Sequence, residues 1–157
     1  MWSKICCPVD FSEVSRRALR EGARLALRDG APLTVLHVLA PVRTNVMAAD
    51  MLAFVGEPIE PDPRPGLEAQ LAEWKRDAEA IAPGIAVDTM LVTGWPEERI
   101  AELVRAHHFD LVVIGTHGRT GVKRLVLGSV AERVVREAPA SVLVYREPPE
   151  AAPPGDR

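Results

Sequence analysis

Cysteine is scarce in this 157-residue chain: Cys6 and Cys7 are the only two, and they are adjacent. Neighbours on an extended strand point to opposite faces, so the pair cannot close on itself without distortion. No His or Cys stands near them at zinc-ligand spacing, which leaves two reduced, buried thiols as the expectation. Side-chain amides are as rare, with Asn45 and Gln70 alone, while arginine greatly outnumbers lysine. That bias fits a GC-rich genome or thermal adaptation and carries no function. No apolar run approaches the ~20 residues of a membrane span, and none resembling a signal-peptide core precedes Asp10. The formal net charge is −3, so there is no global basic field for nucleic acid. These absences predict a cytoplasmic protein with neither membrane nor nucleic acid among its partners. Two nucleotide motifs are also missing. Gly118-Arg119-Thr120-Gly121-Val122-Lys123 does not supply a Walker A loop, and Pro8-Val9-Asp10 stands where a Rossmann glycine turn would be. An ordinary P-loop ATPase and an NAD enzyme are therefore disfavoured.

The apolar segments that are present alternate in type. Ile5 to Val9, Leu33 to Leu39, Ile85 to Val92, Leu111 to Ile114 and Ser141 to Tyr145 read as strands. Helical spacing runs from Ser12 to about Arg28, with Val14, Ala18, Gly22 and Leu25 on one face and Asp29-Gly30 ending it. A second helix carries Leu67, Leu71, Trp74, Ala78 and Ile81, with Trp74 as a core residue. A third starts at Pro96, where a first helical position tolerates proline, and ends near His107-His108, which read as cap or surface residues. The alternation predicts one α/β domain over residues 1–146: an open, doubly wound, five-stranded parallel sheet in the order 3-2-1-4-5, with helices on both faces. Residues 40–66 form a long variable connection, with a short helix expected over Val46 to Val55 and prolines from Pro58 to Pro65 that oppose regular structure. Residues 147–157 form a disordered tail.

The most specific local pattern is Gly115-Thr116-His117-Gly118, followed after nine residues by Gly128-Ser129. Glycines after a buried strand permit positive φ and close approach of backbone N–H groups to anionic oxygens. Ser129, with Glu132 three residues on, reads as a capping box opening a helix whose N-terminus suits phosphate. Arg119, Lys123 and Arg124 lie between the two ends and could add charge-assisted donors. In the predicted strand order Asp10 follows the first strand and Gly115 the fourth, so both reach the crevice where the order reverses. Asp10 is either a turn former or a carboxylate that accepts a ribose hydroxyl or helps hold a magnesium ion through water.

The spacing G-x2-G-x9-G-S, as Gly115, Gly118, Gly128 and Ser129, resembles the nucleotide signature of the universal stress protein family in its ATP-binding branch. Lys4 to Ser12 resembles that family's opening strand and acidic turn, and Leu36-His37-Val38, Gly94-Trp95-Pro96 and Ser141 to Tyr145 match in order. The similarity runs from about Lys4 to Arg146. It implies that Asp10 belongs to an ATP site, that Pro8 and Val9 contact sugar and base, and that Val38 reads the adenine edge through its backbone. Ile114 and Gly115 would flank the nucleotide, and His117, Gly118, Arg119, Gly128, Ser129 and Val130 would surround the phosphates. It also implies a homodimer through strand 141–145, whose apolar edge invites pairing. His117 is the best-placed general base, but no nucleophile accompanies it, and no catalytic residue is assigned. The expected function is an ATP-binding stress-response regulator that switches conformation or partner, with slow or no hydrolysis. The alternatives are a weak nucleotide hydrolase or adenylate-forming enzyme on the same fold, and an interaction module without useful nucleotide affinity.

Overall fold

Leu111-Val112-Val113-Ile114 is buried along its length, as a strand covered on both faces must be. The computed structural model describes residues 1–41, 62–116 and 127–146. The expected helix at Val46 to Val55 and the tail at 147–157 lie outside them. The described elements are β1 (Ile5–Pro8), α1 (Glu13–Asp29), β2 (Leu33–Leu39), α2 (Arg64–Ile81), β3 (Val87–Thr93), α3 (Pro96–Ala106), β4 (Leu111–Gly115), α4 (Ser129–Glu137) and β5 (Ser141–Tyr145). The five strands form one parallel sheet in the order β3-β2-β1-β4-β5.

Side-chain alternation along the strands builds two cores. Ile5, Cys7, Leu33, Val35, Leu111 and Val113 pack with Leu19, Leu71 and Trp74 from α1 and α2. Cys6, Leu36, Val112 and Ile114 pack with Ile100, Val104 and Val134 from α3 and α4. The two cysteines are thus free and separated by the sheet. Burial pushes the Cys6 thiol up to about 12 and raises that of Cys7 as well, so both stay neutral and unreactive.

Local signals explain the helix ends. Ser12 caps α1 by accepting from Ser15 N, and Gly30 ends the helix at φ 69°, donating its N–H to Ala26 O. The buried stripe of α1 is Ser15, Ala18, Leu19, Gly22, Ala23 and Ala26, rotated from the expected one, with Val14 and Leu25 only half-buried. Small residues face the sheet because α1 lies close to it. A Cβ on Gly22 would overlap the Cys7 sulfur.

Two sequence expectations shift. Helix α2 begins at Arg64, inside the proline-rich stretch, because Pro65 falls in the first turn, where the missing N–H has no intrahelical partner to lose. Strand β3 begins at Val87 rather than Ile85, since Ile85 N turns back to Ala82 O and Ala86 O accepts from Leu33 N as the first rung. The start of β1 is tied to the start of β4 by Asp110, which accepts from Ser3 N, Ser3 Oγ and Lys4 N. Burial opposes ionisation of Asp110, but these hydrogen bonds outweigh it and hold the carboxyl below its ordinary range.

Candidate functional site

Strand order reverses at β1, which has β2 on one side and β4 on the other, and a cleft of about 330 Å³ opens beyond the carboxyl ends of these strands. That volume lies within the range of small-molecule sites. Its wall joins the expected residues Pro8, Val9, Asp10, Val38, Ile114, Gly115, Gly128, Ser129 and Val130. His117, Gly118 and Arg119 lie outside the described residues.

One side of the cleft is the turn from β1 into α1. Asp10 Oδ1 accepts from Ser12 N at 3.1 Å and from Ser12 Oγ at 2.6 Å, so the carboxylate forms the turn as well as facing the cleft. Ser15, buried and also on the wall, donates its hydroxyl to Ser12 O at 3.0 Å. Between Asp10 and Ser12, Phe11 takes φ 63°, a left-handed conformation unusual for a bulky residue. Its ring is held edge-on by Trp74 at 5.2 Å and lies 4.6 Å from the His37 ring. The third member of this stack, His37, also lines the cleft, and its Nδ1 lies 2.7 Å from Val9 O. Sequence reasoning placed His37 only in a strand-closing tripeptide and missed Phe11. Neither residue has a local pattern announcing its role, since the stack joins β2, α2 and the β1–α1 turn.

The opposite side is the start of α4. Gly128, not Ser129, is the N-cap, because Glu132 N donates to Gly128 O at 2.8 Å. Ser129 is therefore the first helical residue, Glu132 falls one position too late for a capping box, and among the described residues no side chain caps this helix. The helix thus turns uncapped backbone N–H groups and the positive end of its dipole toward the cleft. The chain leaves β4 and returns to α4 at a closed point: Thr116 N donates to Tyr145 O, and Gly128 N to Thr116 O at 2.7 Å.

Gly115 also differs from expectation. It is not among the glycines with positive φ, which in the described residues are Gly30, Gly84 and Gly94. It is glycine because α1 approaches it closely: a Cβ there would stand 2.9 Å from Val14 Cγ1 and 3.4 Å from Ser15 N.

The floor and remaining wall are apolar, from Leu36, Val38, Ile100, Ile114 and Ala131. Val38 has a particular place in the ladder. Leu36 O accepts from Val9 N across β1 and β2, while Leu39 O accepts from Gly94 N on the β3 side. By alternation Val38 directs its backbone groups to the β1 side, beyond the last β1–β2 pair, Pro8 with Leu36. Among the described residues no group of three or more His, Cys, Asp or Glu could hold a metal ion, and no helix is long and apolar enough to cross a membrane.

A cleft at the switch point, with an acidic turn facing an uncapped helix, is a frame shared by many nucleotide folds, and sequence comparison narrows it. The sequence profile of the universal stress protein family matches residues 1–146. The chain belongs to the universal stress protein family. Among universal stress proteins it is 33% identical to MJ0531 of Methanocaldococcus jannaschii over 94% of this chain and 84% of that one. The solved structure of MJ0577, a universal stress protein of the same archaeon, is 25% identical with a TM-score of 0.77, covering 96% of this chain and 99% of its own. Two more distant universal stress proteins share the fold. One, in complex with cAMP, is 23% identical with a TM-score of 0.66 over 92% of this chain and 96% of that one. The other, from Archaeoglobus fulgidus in complex with dAMP, is 21% identical with a TM-score of 0.62 over 92% and 98%.

Proposed function

We propose that the cleft binds an adenine nucleotide, ATP foremost, and that this universal stress protein is a nucleotide-dependent conformational or partner switch with slow or no hydrolysis. The observation that carries the reading is the convergence on one apolar-walled cleft of the Asp10 turn and the uncapped N-terminus of α4. Adenine monophosphates seated on two proteins of this fold support it. In this reading Pro8 and Val9 lie against sugar and base, Asp10 accepts a ribose hydroxyl, and Val38 offers its backbone to the adenine edge. Ile114 and Gly115 flank the nucleotide, and the amides of Ser129 and Val130 take the phosphates, with Gly128, whose own N–H is held by Thr116 O, setting the close approach. His117, Gly118 and Arg119 join the phosphate side on the strength of the sequence pattern. Among the described residues that line the cleft, Asp10 is the one carboxylate. It suits magnesium held through water and the phosphates rather than by a protein cage.

Calorimetric titration of ATP with magnesium into nucleotide-free protein tests this. Micromolar binding, about 8 kcal/mol, is expected. Asp10→Ala is expected to weaken it by about tenfold, with a non-hydrolysable analogue binding like ATP. Absence of binding by the wild type retires the reading, and release of phosphate or pyrophosphate above background would make the cleft catalytic instead.

Strand β5 is an edge of the sheet, and its apolar side chains are only half-buried. We propose that a second copy pairs antiparallel along residues 141–145. Light scattering at micromolar concentration is expected to give twice the monomer mass, and a monomer there contradicts the pairing.

A further inference from the structure

The β1–β2 ladder stops one rung short of where its hydrogen bonding could continue, and a side chain occupies the missing rung. In parallel pairing, a carbonyl that follows a donating N–H accepts from the residue two beyond the one just bonded. Val9 N donates to Leu36 O, so a continued ladder would have Val38 N–H donating to Val9 O. The Val9 carbonyl instead lies 2.7 Å from His37 Nδ1. A carbonyl only accepts, so Nδ1 carries the proton and donates it, which fixes the tautomer of the neutral ring. The ring is held in that position by the Phe11 ring at 4.6 Å, itself set edge-on to Trp74 at 5.2 Å. Val9, His37 and Val38 all line the cleft.

We infer that His37 is a positioning and specificity residue: its imidazole takes the Val9 carbonyl in place of Val38 N–H and so keeps that amide available to a base in the cleft. The inference rests on the nucleotide reading of the cleft. A free N–H at the base edge discriminates by chemistry. Adenine presents an acceptor at N1, whereas guanine presents an N1–H donor that would face the amide donor to donor. His37 thus sets the preference for adenine without touching the base itself.

Two variants separate this role from simple packing. His37→Phe keeps a ring against Phe11 and removes the donor, while His37→Asn keeps an amide donor at a similar distance from the backbone. Exchange of the Val38 amide, followed by NMR without nucleotide, is expected to slow in His37→Phe as the rung closes and to return toward wild type in His37→Asn. In titrations, His37→Phe is expected to bind ATP about tenfold more weakly with little change for GTP, so that the ATP-to-GTP ratio collapses; His37→Asn restores the ratio to within about threefold. A loss of ATP and GTP binding by equal factors, or unchanged Val38 exchange in His37→Phe, would overturn the assignment. If the wild type binds neither nucleotide, the reading of the cleft and the adenine preference both fall, and Val38 exchange alone decides whether the imidazole holds the ladder open.

Discussion

Trp74→Ala is expected to lower stability by about 3–5 kcal/mol, the range for removing a large aromatic side chain from a packed core. Trp74 is 6% exposed, packs within the α1/α2 core and meets the Phe11 ring edge-on at 5.2 Å. The Arg16 guanidinium lies 5.8 Å from its ring centroid, and Arg16 is in turn paired with Asp77. Each kcal/mol shifts the midpoint of a chain this size by about 2–4 °C, so thermal unfolding should fall by about 10 °C. Trp74→Phe, which keeps a ring beside Phe11, should recover more than half of the loss. A drop of under about 1 kcal/mol on alanine substitution would contradict this packing.

Gly22→Val is expected to cost about 3 kcal/mol and Gly22→Ala about 1–2 kcal/mol, the upper part of the range for overpacking. The alanine figure is net of about 1 kcal/mol gained because alanine suits a helix interior better than glycine. The obstacle is a single atom. A Cβ on Gly22 would overlap Cys7 Sγ, whereas the next nearest atoms, Val113 Cβ and Cγ2, stand at 3.7 Å, an ordinary contact. Cys7→Ala removes that sulfur, so in its presence Gly22→Ala should stabilise by up to about 1 kcal/mol. A double-mutant cycle by chemical denaturation is expected to show at least about 1 kcal/mol of coupling. Strict additivity would mean that the backbone of α1 moves to admit the methyl group.

Much of the fold was legible because its signals are local. The continuous apolar runs mark strands buried on both faces, the 3.6-residue stripes mark the covering helices, and the connections dictate parallel pairing. Trp74 was readable as core from its spacing with Leu71 and Ala78. The adjacency of Cys6 and Cys7 was enough to place them on opposite faces. The errors have physical causes as specific as the successes. Ser129 and Glu132 match a capping box in sequence, but Gly128 O takes the first helical hydrogen bond, which moves the cap back by one residue. Gly115 stands where a ligand-approach glycine would, yet its missing Cβ is explained by Val14 on a helix a hundred residues earlier in the chain.

The sequence alone determined the order of elements, the parallel sense and hand of their crossovers and, in the expected strand order, the arrival of Asp10 and Gly115 at one crevice. Periodicity, chain connectivity and backbone sterics suffice for these, and each acts over a few residues or one crossover. Only the tertiary structure decided that the Asp10 carboxylate forms its own turn, that α4 meets the cleft uncapped, and that an imidazole from β2 occupies the rung beyond β1. Those outcomes depend on the distance between groups far apart in the chain. A hydrogen bond is made or lost within a few tenths of an ångström, finer than any sequence pattern specifies.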